Sequence, residues 1–318
     1  MLLGTILTFA GLLLLYYGAE YLVTGSSRLA LSFGIRPLII GLTVVAFATS
    51  MPELMVSLMA AVKGSASMAT GNIIGSNIAN VGLILGAAAL VSPLVVARTT
   101  LRREIPMMVA ASLAAYLLAW DGDLGFVDGM VLFLSLIAFL FYCIKTARRP
   151  VGLEATGAID EVVVEETSHR GRSLILVLLG IVGLGVGAEL MVRGAVMIAT
   201  LLGVSELVIG LTVVALGTSL PELAASMMSA SKGQMDMSVG NVIGSNIFNV
   251  LFVLGVCPMI RPLQIEPRIL QIDFPIMLLF FCFLILLLSL AQPRLTLGRW
   301  RGLLLLSGYG IFTIAQFF

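Results

Sequence analysis

Charge is what this chain has least of. Of 318 residues, 11% are charged and 59% hydrophobic, and the mean hydropathy is +1.11. Soluble domains carry roughly 25% charged residues, so a water-soluble globule is excluded and an integral membrane protein indicated. Histidine is nearly missing as well, since His169 is the only one and lies in a polar stretch. The three cysteines, Cys143, Cys257 and Cys282, all sit in apolar segments and read as small hydrophobes, not as disulfide or zinc pairs. A chain this poor in imidazole and thiol offers no soft-metal site and implies no redox chemistry. Strict apolar/polar alternation in runs of about ten, the mark of outer-membrane strands, is missing too.

Long apolar runs are abundant, each sufficient for a helix crossing ~30 Å of hydrocarbon with ~20 residues. They predict an all-α membrane protein with ten transmembrane helices, at roughly 3–24, 37–62, 67–92, 104–120, 126–146, 173–196, 205–231, 236–258, 271–291 and 300–317. The first of these lacks a basic leader and is too long for a signal peptide core, so it is expected to be a permanent span. The one extended polar stretch, about 148–172, divides a first unit (1–147) from a second (173–318) and is read as a linker, with His169 in water. All but Lys63, Arg193, Arg261 and Arg268 of the 18 lysines and arginines fall in or beside odd-numbered connections. The positive-inside rule then makes those connections and the linker cytoplasmic and places both termini outside, in the plasma (inner) membrane if the source is prokaryotic.

The two units repeat each other. GLTVVAFATSMPEL from Gly41 returns as GLTVVALGTSLPEL from Gly210, and GNIIGSNIAN from Gly71 as GNVIGSNIFN from Gly240, both displaced by 169 residues. Five helices per unit, an odd number, would turn the second copy upside down relative to the first. Inverted repeats with interrupted spans at matching positions point to a secondary transporter with its site near the midplane.

The chemistry falls in those interruptions. Thr49, Ser50, Pro52 and Glu53 have counterparts in Thr218, Ser219, Pro221 and Glu222. Proline removes a donor and clashes with the carbonyl four residues back, so carbonyls near Ala48 and Gly217 are expected to be freed or tilted. Freed carbonyls, hydroxyls and a carboxylate make an all-oxygen set suited to a hard cation such as Ca²⁺, and a carboxylate in apolar surroundings needs such a partner. Ser76 with Asn80, and Ser245 with Asn249, are four apart and present one oxygen-bearing face each, with Asn72 and Asn241 on the same stripe as interhelical glue or outer ligands. Gly71, Gly75, Gly82, Gly86, Gly240, Gly244 and Gly255 allow neighbouring backbones to approach. Glu20 and Glu189 also correspond, but near predicted helix ends, where capping or snorkelling is the simpler role. Asp273, near a helix start, reads as a dipole-favoured carboxylate.

TSMPE with GNIIGSNIAN, and TSLPE with GNVIGSNIFN, resemble the two alpha-repeats of the sodium/calcium exchanger family, within the calcium/cation antiporter superfamily. The resemblance spans both repeats. It implies that Glu53 and Glu222 bridge central ion sites, joined by Thr49, Ser50, Thr218 and Ser219, by carbonyls of Ala46 and Ala215, and by Ser76, Asn80, Ser245 and Asn249. It further implies exchange of Na⁺ for Ca²⁺ as transported ions, with no prosthetic group, no nucleic acid and no required protein partner beyond the bilayer. The first and sixth helices are the implied sliding gate. Asn at both 80 and 249, where some relatives have Asp in the second copy, leaves two central carboxylates and argues against potassium dependence. Ala48 stands where the family pattern has Gly. The linker is too short for the large calcium-sensing domains of animal exchangers.

Two carboxylates balance one Ca²⁺ or two Na⁺, whereas an empty doubly negative site is costly to carry through lipid, which makes exchange obligatory. A Ca²⁺/H⁺ or other cation/proton antiporter is the alternative; such exchangers carry an acidic residue, often with His, where this chain has Gly75-Ser76 and Gly244-Ser245. A channel would need an open path rather than occluded carboxylates. An intramembrane hydrolase would need a base or metal beside a nucleophile, and neither is placed, so the chain is read as no enzyme.

Overall fold

The computed structural model describes residues 1–147, 170–203 and 215–316. Most of the expected linker, with His169, and the first ten residues of the expected seventh span lie outside the described residues. Helices dominate: α1 (Leu2–Ser32), α2 (Pro37–Thr49), α3 (Met51–Lys63), α4 (Ala66–Val91), α5 (Glu104–Leu118), α6 (Phe126–Thr146), α7 (Arg170–Leu201), α8 (Ala215–Thr218), α9 (Leu220–Ser231), α10 (Met235–Ile260), α11 (Ile269–Ser289) and α12 (Arg299–Ala315). Among the described residues six helices are long and apolar enough to cross a membrane, or seven when α2 and α3, which meet at 44°, count as one broken span.

Two outcomes depart from the sequence reading. α1 and α7 run well past the expected ends at 24 and 196, because the flanking SSRLALS and AVMIATL segments contain no glycine or proline to stop the helix. Glu20 and Glu189 therefore sit inside long helices, not near their ends. Four two-residue strands among the described residues were also not foreseen: β1 (Leu94–Val95), β2 (Asp123–Leu124), β3 (Leu263–Gln264) and β4 (Thr296–Leu297). β1 pairs antiparallel with β4 (Leu94 opposite Leu297) and β2 with β3 (Leu124 opposite Leu263), so each unit lends a strand to the other.

α4 and α10 form the centre, each with 78% of its span buried inside the protein, against 28% for α1, α6 and α7. Helices enclosed on all sides need small residues where neighbours cross. Gly240 and Gly244 of α10 lie against backbone atoms of α2, and Gly86 of α4 against Gly302 of α12. α1 and α7 meet along a seam that the sequence reading overlooked. Gly4, Gly11, Gly18 and Gly25 recur every seven residues in α1, as do Gly180, Gly187 and Gly194 in α7. Gly4 lies against Gly194, Gly11 against Gly187, Gly18 against Gly180, and Gly25 against Ser173, so the two helices run antiparallel. A Cβ on Gly11 would stand 2.5 Å from the Met191 nitrogen, so the backbones touch directly.

Candidate cation-binding site

The repeated motifs break their helices at the expected positions. Ser50 (φ −81°, ψ 4°) ends α2 and caps α3, and Ser219 (φ −88°, ψ 4°) does the same between α8 and α9. Pro52 and Pro221 fall in the first turn of the new helices, where a missing N–H costs least. Glu53 and Glu222 follow in those same first turns, near the positive ends of the helix dipoles, and both are fully buried.

The units then exchange contacts. Ser50 donates to Glu222 Oε1 (3.3 Å), and Ser219 donates to Glu53 Oε1 (3.3 Å). Ser76 reaches the same Glu53 oxygen at 3.5 Å and lies 3.4 Å from the Ser219 hydroxyl. Thr49 Oγ1 lies 3.2 Å from Asn241 Oδ1 and 3.4 Å from Ser245 Oγ. Thr218 is buried beside them. The Ala46 carbonyl, on a fully buried residue, accepts from the Ser50 N–H (2.9 Å) and the Thr49 hydroxyl (3.3 Å). Ala215 opens the short α8, and its side chain lies outside the described set.

Asn80 and Asn249 stand at the first positions of π-helical segments, Asn80–Leu85 and Asn249–Val253, which widen the turn at matching points of α4 and α10. Both are buried, and neither side-chain N nor O of either has a hydrogen-bond partner among the described residues. The second oxygens of Glu53 and Glu222 are equally unpartnered. An orphaned buried polar atom costs on the order of 1–3 kcal/mol, and a charged one more. Carboxylate and amide oxygens, hydroxyls and a carbonyl, without thiol or imidazole, are the donors a hard cation takes.

Asn72 and Asn241 act as glue. Asn72 Nδ2 donates to Ser57 Oγ (2.9 Å) and the Glu53 carbonyl (3.4 Å), and Asn241 Nδ2 to Ser226 Oγ (2.9 Å) and the Glu222 carbonyl (3.4 Å). Of the other carboxylates singled out, Glu20 meets Lys232, Glu189 meets Arg193, and Asp273 accepts from Gln316 (3.4 Å) at the start of the α-helical part of α11. Glu104 was not singled out from sequence, yet it is fully buried, accepts from the Tyr142 hydroxyl (3.2 Å), and has an unpartnered Oε2. Its 169-residue displacement from Asp273 was the available signal. Asn77 and Asn246, inside the repeated motif, were also passed over; Asn77 Nδ2 reaches the Asn246 carbonyl at 3.4 Å, tying α4 to α10.

Comparison with known proteins follows the same lines. Residues 3–145 and 172–318 match the family described as sodium/calcium exchanger protein. The chain is 40% identical over 311 residues to inner membrane protein YrbG of Escherichia coli, covering 97% of this chain and 95% of that one. It is 30% identical to sodium/calcium exchanger MaX1 of Methanosarcina acetivorans, with 97% of each covered. A solved structure of the sodium-calcium exchanger NCX_Mj superposes with a TM-score of 0.84 at 36% identity, over 99% of this chain and 98% of that one.

Proposed function

Because the chain belongs to the sodium/calcium exchanger family and is a multi-pass membrane cation antiporter, we propose that it exchanges Na⁺ for Ca²⁺ by alternating access at the Glu53/Glu222 site. The observation that carries this reading is the crossed pair of Ser–Glu hydrogen bonds flanked by unpartnered buried oxygens. Glu53, Glu222, Asn80 and Asn249 are the central ligands, with Thr49, Ser50, Ser76, Thr218, Ser219 and Ser245 as hydroxyl donors and Ala46 and Ala215 as carbonyl ligands. Two carboxylates neutralise one Ca²⁺ or two Na⁺, so a loaded site can cross low dielectric while an empty one is held back by the desolvation cost of two anions.

The architecture that serves this is two five-helix repeats of opposite orientation, 1–147 and 173–318, joined by a cytoplasmic segment, with both termini outside. Its support is the antiparallel course of α1 and α7, helices that correspond at a displacement of 169 residues. The α1/α7 pair, peripheral and joined through glycines, is the moving part, and α2–α4 with α8–α10 the fixed core. Relatives named as sodium/calcium exchangers support sodium as the coupling ion.

Purified protein in vesicles tests the coupling directly. An outward Na⁺ gradient is expected to drive ⁴⁵Ca²⁺ uptake, and a pH gradient alone is not. Uptake that follows only the pH gradient would replace sodium by protons in this assignment.

A further inference from the structure

Corresponding charged residues do not make corresponding contacts. Lys232, at the end of α9, donates to Glu20 Oε1 (3.2 Å) and to Thr24 Oγ1 (2.9 Å), tying α1 to the broken helix of the second unit. The counterparts of Lys232, Glu20 and Thr24 at 169 residues' displacement are Lys63, Glu189 and Arg193. Lys63, at the end of α3, has no hydrogen-bond or ion-pair partner among the described residues. Glu189 is instead engaged by Arg193 on its own helix. Thr24, which shares the lysine in one unit, is thus replaced in the other by a cation that competes with it.

The packing is one-sided in the same sense. α1 packs along α9, with Leu22 and Val23 in one apolar cluster with Ala225 and flanked by Met228. On α3, Met55 and Met59 are each 53% exposed, where their counterparts Ala224 and Met228 are partly buried.

We infer that Glu20 and Lys232 form a one-sided latch that biases the protein toward the conformer described here, and that Arg193 disables the mirror latch between Glu189 and Lys63. The inference rests on the alternating-access reading above, in which the opposite conformer brings α7 to α3 as α1 now lies on α9. Lys232 and Arg193 act as positioning residues: they touch no transported ion, and they set which conformer predominates. The Glu20 and Lys232 side chains are 36% and 30% exposed, so solvent screening keeps the bias modest, about two- to fivefold in population.

Thiol accessibility reads this without any transport step. In a Cys282→Ser background, which removes the exposed native cysteine, Met228→Cys reports uncovering of α9 and Met59→Cys reports covering of α3. Lys232→Met is expected to raise the N-ethylmaleimide reaction rate at Met228→Cys and lower it at Met59→Cys, each about two- to fivefold. Arg193→Thr is expected to shift both in the same direction, by freeing Glu189 for Lys63, and the double variant Arg193→Thr/Lys63→Met to return them to the starting rates. Met228→Cys that never reacts, in Na⁺, in Ca²⁺ or without either, would overturn the two-conformer reading itself. A reactive Met228→Cys that ignores Lys232→Met, or an Arg193→Thr effect that survives Lys63→Met, would overturn the latch alone.

Discussion

α3 and α9 are copies of one element, yet they live in different surroundings. Both open with Pro-Glu, and both pin their glutamate carbonyl to an asparagine of the next helix. Beyond that first turn they diverge, because α1 covers α9 while the equivalent face of α3 is left bare at Met55 and Met59. Glycine spacing tells the same story: Gly217 of α8 is pressed by Val192 of α7, whose Cγ2 would stand 2.3 Å from an added Cβ, and its counterpart is Ala48. Sequence symmetry therefore describes what the two units share, and the broken symmetry of contacts describes how differently the two copies are packed in this structure.

The first way to break that comparison is at the site, where the units should be equal. Glu53→Gln and Glu222→Gln each remove one of two buried carboxylates whose second oxygens lack partners among the described residues. Each is expected to cut Na⁺-driven Ca²⁺ uptake by more than the roughly 10–100-fold that loss of an outer-shell partner costs a metal site. Reconstituted flux per folded protein, with folding checked by size-exclusion profile, measures it. If one variant transported normally while the other failed, the functional equivalence of the two copies would be lost and that glutamate removed from the ion site.

A second test attacks the seam that carries α1 onto α9. Gly187 and Gly185, two residues apart, lie on nearly opposite faces of α7: an added Cβ at 187 would meet the Leu15 nitrogen at 2.7 Å, and one at 185 meets nothing within 4 Å. Gly187→Leu should therefore force two backbones apart at a cost of about 1–3 kcal/mol, the usual price of overpacking. Gly185→Leu should leave stability unchanged or raise it, since glycine is a poor helix former. Thermal unfolding of the detergent-solubilised protein compares the two, and equal melting temperatures would contradict the direct backbone contact described above.

Much of the site was legible from residue order because it is repeated. A displacement of 169 residues ties Glu53 to Glu222, Ser50 to Ser219 and Asn80 to Asn249, and the helix breaks fall at the Thr-Ser-X-Pro-Glu motifs where proline chemistry puts them. The crossed partnership was not legible: no spacing rule says that Ser50 serves Glu222 rather than Glu53, because that depends on how two distant segments pack. Helix ends at Ser32 and Leu201 were missed because hydropathy marks where lipid ends, whereas hydrogen bonding marks where a helix ends. The glycine heptads of α1 and α7 were present in the sequence and simply carry no polar signal. π-helical turns at Asn80 and Asn249 have no local propensity signature, since they arise where a buried helix must re-aim a side chain.

The smallest expected difference lies between the two asparagine clamps. Asn72 and Asn241 make the same pair of donor bonds, to Ser57 and Ser226 and to the carbonyls of Glu53 and Glu222. Their surroundings differ: Asn241, with Thr49 3.2 Å from its amide oxygen, is fully buried, whereas Asn72 is half-buried. Asn241→Ala thus strands the Ser226 hydroxyl and loses the Thr49 contact in a region closed to water, whereas the half-buried site of Asn72 lets water replace part of what Asn72→Ala removes. Both variants should melt at lower temperature, with Asn241→Ala the less stable by about 1 kcal/mol, because the polar groups it strands are closed to water. Should Asn72→Ala prove the more damaging, the closed environment around α9 would not be the tighter of the two, and the contrast between the covered and bare copies would have to rest on α1 alone.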